Sequence, residues 1–281
     1  MTGTMMIATS LEELRDARRL LTGTLGFVPT MGYLHEGHIS LACRAREQCD
    51  HAAASIFVNP TQFGPNEDLS SYPRNLEGDL ALLEEAGVEL VWTPTADIMY
   101  PPGFTTWVQV EGLTVPLEGA SRPGHFRGVT TIVTKLFNAV QPDKAYFGQK
   151  DAQQAAVIRR MARDLNFPIE IVICPTVREV DGLARSSRNT YLSPDQRKAA
   201  TVLYRALTAA RSAYDQGERN AGSLRGIMQE VIASEPLARM QYVSVADYDS
   251  LQELELVTGK TLLSMAVFMG KTRLIDNFVL E

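Results

Sequence analysis

The sequence predicts an α/β fold, a parallel sheet covered by helices, followed by a smaller α+β domain. Three observations predict it. Short apolar segments alternate with longer amphipathic ones through the first two-thirds of the chain, the rhythm of strand–helix–strand units. The apolar segments are continuous, as strands buried on both faces are, and each ends at Pro, Gly or Asn. After Cys174-Pro175 the rhythm changes to a loop, helices and further strands, which divides the chain into residues 1–175 and 176–281.

Taken in order, Ser10 and Glu13 form a capping box that opens a polar helix from Leu11 to Leu21. Strands follow at Leu25 to Val28, Ala53 to Val58, Val88 to Trp92, Lys144 to Phe147 and Ile169 to Cys174. Helices of sufficient length and amphipathic spacing lie at His38 to Gln48, Leu76 to Ala86, Val129 to Val140 and Ala152 to Leu165. Thr105 to Val110 alternates with polar residues between two turn signals and reads as a small strand on the rim. In the second part, Ser193-Pro194, with Gln196 as box partner, opens a long helix that closes near Gly217. A helix from Ser223 to Ala233 and strands at Tyr242 to Tyr248 and Leu262 to Met269 complete the α+β domain.

Composition narrows the function classes. With 281 residues, 45% of them hydrophobic, the chain can bury a large core. A formal charge of −6 and the absence of a Lys/Arg-rich run argue against nucleic acid as the main partner. Cys43, Cys49 and Cys174 form no CxxC pair, so neither a disulfide framework nor a zinc cluster is expected, and a reducing cytoplasm fits. The opening Met1-Thr2-Gly3-Thr4 lacks the charged and apolar runs of an export signal, so the expectation is a cytoplasmic protein with no membrane partner.

The residues that carry chemistry cluster at segment ends. His35-Glu36-Gly37-His38 follows Pro29-Thr30-Met31-Gly32, where a strand hands over to a helix. Backbone N–H groups and two imidazoles converge at such a corner, which is a natural phosphate site. Two histidines three apart on a nascent helix turn can face one ligand. A metal pair is the rival reading, but the zinc-protease pattern H-E-x-x-H is not met, and no metal site is assigned. Far downstream comes Ser186-Ser187-Arg188-Asn189, taken alone an unremarkable loop whose assignment depends on the other motifs.

These motifs together resemble the pantoate–β-alanine ligase (pantothenate synthetase) family of the nucleotidylyl-transferase superfamily, whose signature is H-x-G-H. The resemblance covers nearly the whole chain. It runs through Pro29 to His38, Phe57 to Phe63, Arg122 to Gly128, Phe147 to Gln154 and Asp181 to Asn189 in the family's order. It implies a Rossmann-like first domain and an ATP-dependent ligase that condenses pantoate with β-alanine through a pantoyl adenylate, releasing AMP and pyrophosphate. It also implies a homodimer and Mg2+ arriving with ATP; no organic prosthetic group is expected.

Residue by residue, the resemblance makes His38 the catalytic histidine and His35 its partner on the phosphates, with Lys150 and Arg188 as catalytic cations. Met31, Gly32, Tyr33, Leu34, Glu36 and Gly37, with the histidines, become ATP contacts. So do Gly148, Gln149, Lys150, Asp151, Val177, Arg185, Ser186, Ser187 and Arg188. Gln62 becomes the glutamine that contacts both pantoate and β-alanine, and Gln154 the pantoate glutamine. At Arg185 the family pattern more often has Met, Leu or Lys.

Read without the resemblance, several of these residues keep plainer roles. Lys150 at a strand end is solvated by default, Val177 is core, and Asp151 with Gln154 is a capping box for the helix that follows. Arg122, His125 and Arg127 form a cationic loop cluster compatible with an anion contact, a lid or simple solvation. Asp79 falls near the family's proposed magnesium region, yet acidic residues in a helix such as Leu76 to Ala86 are ordinarily surface residues, so it is left outside the site. Two other functions remain open at this level: a nucleotidylyltransferase that keeps the nucleotide in its product, and a nucleotide-binding module without catalysis.

Overall fold

In the computed structural model, which describes residues 4–65 and 67–281, continuous runs of buried residues organise the first sheet. Met1–Gly3, part of the opening segment read above for an export signal, lie outside the described residues. The elements are β1 (Met6–Ala8), α1 (Leu11–Leu20), β2 (Leu25–Thr30), α2 (Glu36–Gln48), β3 (His51–Ile56), α3 (Leu76–Glu85) and β4 (Leu90–Trp92). Then come α4 (Ala96–Met99), α5 (Glu118–Ser121), α6 (His125–Val140), β5 (Lys144–Gly148), α7 (Ala152–Asp164) and β6 (Glu170–Cys174). All six strands pair in parallel, in the order β1-β4-β3-β2-β5-β6.

Successive side chains of a strand point to opposite faces. Leu25 and Phe27 of β2 join Leu14 of α1 and Val129, Val133 and Phe137 of α6 on one face. Val28 joins Leu41, Ala42 and Ala45 of α2 and Leu83 of α3 on the other. Gly26 sets how closely α2 sits, because a Cβ there would lie 2.9 Å from the Ala45 Cβ and 3.1 Å from the Tyr146 ring. The chain steps from β2 through β3 to β4 in one direction and from β5 to β6 in the other. The topological switch point therefore lies between β2 and β5, and ligands of open α/β sheets bind beyond the carboxyl ends of strands at that point.

The remaining elements are α8 (Pro194–Ala199), α9 (Val202–Asp215), α10 (Ala221–Ala233), β7 (Ala238–Asp247), β8 (Thr261–Met269) and β9 (Thr272–Leu280). The last three strands form an antiparallel sheet in sequence order. Leu203 and Leu207 of α9 and Leu224 and Met228 of α10 pack on its Val245, Leu263 and Met265. The chain divides into two compact units: the described residues up to Gly148 together with Gln153–Pro175, and Gln149–Ala152 together with Thr176–Glu281. Grouping of Gln149–Ala152 with the second unit is not anticipated by the sequence.

Three expectations need correction, and two strands are not anticipated. Thr105 to Val110 is no strand, and at Val108 side chains take the backbone groups a strand partner would: its N–H donates to Thr131 Oγ1 at 3.0 Å, and Thr130 Oγ1 donates to its carbonyl at 2.6 Å. The long helix after Ser193 is divided into α8 and α9 by a turn at Ala200-Thr201, although its capping box forms as expected. Asp151 lies within a 3-10 turn, Gln149–Asp151, that leads into α7, so it is not a residue outside the helix capping its first turn. Strands β1 and β9 escape the sequence reading, β1 because three residues carry no period and β9 because Arg273, Asp276 and Asn277 interrupt its apolar pattern.

Replacement of Gly26 with alanine tests the seating of α2. The added methyl has no room, so Gly26→Ala is expected to lower stability by about 1–3 kcal/mol in urea denaturation. An unchanged unfolding midpoint would mean that α2 does not approach the sheet this closely.

Candidate active site

Beyond the carboxyl end of β2, the chain must turn into α2 and satisfy the helix's first N–H groups. It does so with its two motif histidines. His35 is the N-cap and its Nδ1 accepts from the Gly37 N–H at 3.1 Å, while Nδ1 of His38 accepts from the His35 N–H at 3.4 Å. This is a capping box built from imidazoles in place of the usual hydroxyl and carboxylate. The rings lie 4.1 Å apart, tilted by 39°. Because each Nδ1 accepts, each neutral ring carries its proton on Nε2, so both present an Nε2–H donor.

The turn before the cap is left-handed, with φ of 80° at Gly32 and 50° at Tyr33. Consecutive N–H groups in such a turn form an anion-binding concavity. Here a carboxylate of the protein fills it: Asp79 of α3 accepts from Tyr33 N–H at 2.8 Å through Oδ2 and from Leu34 N–H at 2.7 Å through Oδ1. Asp79 is 3% exposed, so the expectation of a surface residue is corrected. A side chain at Gly32 would meet its Oδ2 at 2.9 Å, so the need for glycine there comes from the carboxylate, beside any need of a nucleotide.

Beyond β3, Pro60–Gln62 forms a short 3-10 turn capped by Asn59. Gln62 is held at both ends of its amide, accepting from Asn59 Nδ2 at 3.0 Å and donating to Met31 Sδ at 3.0 Å. Buried Asn59 also donates to the Gly128 carbonyl at 3.2 Å and accepts from Tyr100 Oη at 2.8 Å. The loop cluster bears on the same residue: His125 Nδ1 donates to the Gln62 carbonyl at 2.8 Å, and its Nε2 accepts from Arg122 Nη1 at 3.1 Å. Arg122 is itself gripped by Glu67 through two 2.6 Å bonds. The cluster is thus a backbone brace for Gln62, and solvation is corrected for Arg122 and His125; Arg127 lies over the Trp107 ring at 4.4 Å. Of the adjacent glutamines in α7, Gln153 is buried and spends its amide on Glu118 N–H and the Leu113 and Pro116 carbonyls. Gln154, half-buried, takes no part in that brace.

The second unit orders the other predicted residues. Asn277 of β9 donates to the carbonyls of Gln149 at 3.0 Å and Lys150 at 2.9 Å and accepts from Gln149 Nε2 at 3.0 Å. The Lys150 ammonium lies 3.7 Å from Asp151. Next to Asn277, buried Asp276 takes two bonds from Arg178, at 2.7 and 2.8 Å, which ties down the segment after Val177. Arg185 N–H donates to the Val177 carbonyl at 2.9 Å. Ser186 caps the 3-10 turn Ser187–Tyr191 by accepting from Arg188 N–H. Arg197 closes this loop from below on Glu179 and Asp181.

Met31 to His38 and Gln62 lie beyond the carboxyl ends of β2 and β3 in the first unit, joined by the Gln62–Met31 contact, with Gly148 and Gln154 in the same unit. Lys150, Asp151, Val177 and Arg185 to Arg188 belong to the second. From the sequence, Asp79 is weighed but left outside the site, Asn59 is quoted without a role, and Asn277 is missed. Only Asn59 carries a signal, an Asn just before a Pro-opened turn.

Comparison with known proteins decides what such a site belongs to. A family model described as pantoate-beta-alanine ligase matches residues 6–279. The chain belongs to the pantoate-beta-alanine ligase family. It is 62% identical over 277 residues to the pantothenate synthetase of Roseiflexus sp. (strain RS-1), covering 99% of this chain and 100% of the relative. It is 61% identical over 277 residues to that of Herpetosiphon aurantiacus, with 98% and 100% covered. Among solved structures, pantothenate synthetase from Thermus thermophilus superposes with a TM-score of 0.94 at 51% identity, over 98% of this chain and 99% of that one. The pantoate-beta-alanine ligase of Francisella tularensis, complexed with beta-gamma ATP and beta-alanine, gives 0.80 at 35% identity over 98% of each chain. The activity is that of the family: the enzyme joins pantoate to β-alanine to make pantothenate. No helix among the described residues is long and apolar enough to cross a membrane.

The brace on Gln62 has a pH signature. Burial, reinforced by the Arg122 charge, lowers the His125 pKa to about 4 from its ordinary value of 6.5. Between those values the unfolded chain binds the proton and the folded one does not, so stability rises with pH across this window and is lost as pH falls through it. Urea denaturation should therefore show a smaller loss of stability between pH of about 6.5 and 4 for His125→Gln than for wild type. Equal slopes would show that His125 titrates normally in the folded state.

Proposed function

We propose that the enzyme activates pantoate with ATP at the switch-point corner. The supporting observation is the reciprocal histidine cap, which fixes two Nε2–H donors beside a helix N-terminus, where phosphate charge is favoured. A carboxylate needs activation because oxide is too poor a leaving group for amide formation in water. A pantoate carboxylate oxygen attacks the α-phosphorus, the bond to the bridging oxygen breaks, and pyrophosphate leaves with that electron pair. The β-alanine amine then attacks the acyl carbon, AMP departs with the carbon–oxygen electron pair, and the ammonium proton passes to solvent or phosphate.

In the first step charge grows on the α-phosphoryl oxygens and on pyrophosphate, and preplaced donors stabilise it without reorganisation. His38 and His35 supply Nε2–H groups, Lys150 an ammonium, Arg188 a guanidinium and Ser186 and Ser187 hydroxyls. Met31 to Leu34, Glu36, Gly37, Gly148, Gln149, Asp151, Val177 and Arg185 complete the ATP contacts on this reading. Gln62 and Gln154 offer amides to the pantoate hydroxyls and carboxylate, and Gln62 also meets β-alanine. Magnesium enters with ATP, on phosphate oxygens, as part of the substrate. The Francisella relative's complex with beta-gamma ATP and beta-alanine supports the same two ligands for this chain.

Exchange of labelled pyrophosphate into ATP, with pantoate present and β-alanine absent, tests the activation step. His38→Ala should fold, giving up about 1 kcal/mol of helix-capping stability, and should lose about a hundred- to thousandfold in exchange rate. Near wild-type exchange by the variant, or exchange only once β-alanine is added, would contradict the proposal. Release of AMP separates this ligase from a transferase that keeps the nucleotide in its product.

A further inference from the structure

We propose that Asp79 is a positioning residue for the ATP-binding turn, its buried carboxylate holding the Tyr33 and Leu34 N–H groups and so fixing where the His35–His38 cap begins. This rests on the reading that the corner binds ATP. Three features of the chain carry it. The contact is long-range, joining α3 to a turn 45 and 46 residues earlier, and both carboxylate oxygens are committed to it at 2.7 and 2.8 Å. The turn it holds is one that a non-glycine residue enters at a conformational cost, Tyr33 at φ of 50°. And the turn ends at Leu34, immediately before the histidine whose backbone and ring both serve in the cap.

The consequence concerns the charge that the corner offers to a ligand. Two consecutive N–H groups in a left-handed turn would otherwise attract any anion. With Asp79 on them, these two N–H groups are closed to phosphate, which is left the donors at the cap and the first turn of α2, while the turn can still meet a nucleotide through its other atoms. Asp79 therefore acts through the turn and touches no reacting atom. Without it, the turn would sample conformations in which the cap is misplaced, and apparent affinity for ATP would fall in proportion to the competent fraction.

Two variants and one wild-type measurement test this. In Asp79→Asn the side chain keeps its shape but sets an NH2 group against one of the two N–H donors; Asp79→Ala removes both acceptors. In each, KM for ATP should rise about ten- to hundredfold while KM for β-alanine stays near wild type, the loss expected when hydrogen bonds to a charged acceptor are removed. Amide hydrogen exchange at Tyr33 and Leu34 should be slow in the wild-type enzyme and about tenfold or more faster in Asp79→Asn. A folded Asp79→Asn enzyme with wild-type KM for ATP, even with a lowered melting temperature, would make Asp79 scaffold only and overturn the inference. Should neither variant fold, fast exchange of the two amides in the wild type overturns it and slow exchange supports it. Failure of the ATP reading is distinguishable, since His38→Ala would then keep its exchange activity whatever Asp79 does.

Discussion

The site depends on how the chain satisfies a set of backbone N–H groups at one strand-to-helix corner. A helix N-terminus leaves donors without partners, and a left-handed turn ahead of it adds two more that point the same way. In this chain those donors are divided. Asp79 takes the pair at Tyr33 and Leu34, His35 takes Gly37, and His38 takes His35. Spending Nδ1 of both imidazoles on the backbone leaves their Nε2–H groups as the donors of the corner. Fold and chemistry thus share one set of bonds.

The neighbouring parts are braced by the same means, polar side chains committed to backbone. Asn59, His125 and Arg122 hold Gln62, a residue on a three-residue turn, by its amide and its carbonyl. In the second unit, Asn277 holds the turn that bears Lys150, and the Arg178–Asp276 pair holds the segment that follows Val177. Preorganisation of this kind matters for adenylyl transfer, where the protein supplies placed charge and no nucleophile.

Much of this was legible in the sequence where the cause is local. The Ser10–Glu13 and Ser193–Gln196 boxes form as written, since each joins residues three apart. The parallel strands other than β1 were legible because burial on both faces demands a continuous apolar run. The histidine motif marked the corner, although not that the rings would cap each other. What could not be read was set by distant partners. Asp79 looks like any acid on a helix until a turn 46 residues away folds onto it, and Asn277 meets its turn across 128 residues. Thr105 to Val110 has the alternation of a strand, but Thr130 and Thr131 from α6 reach its backbone at Val108. The pattern reports which way side chains face, not which groups satisfy the peptide.

The donors of the corner depend on the protonation pattern of two rings, which nitrogen NMR of the histidine side chains reads directly in the ligand-free enzyme. With Nδ1 of His35 and His38 both accepting from backbone N–H groups, each ring should show a bare Nδ1 and a protonated Nε2. A proton on Nδ1 of either ring would contradict the account, because the cap that fixes the donors of the corner could not then exist.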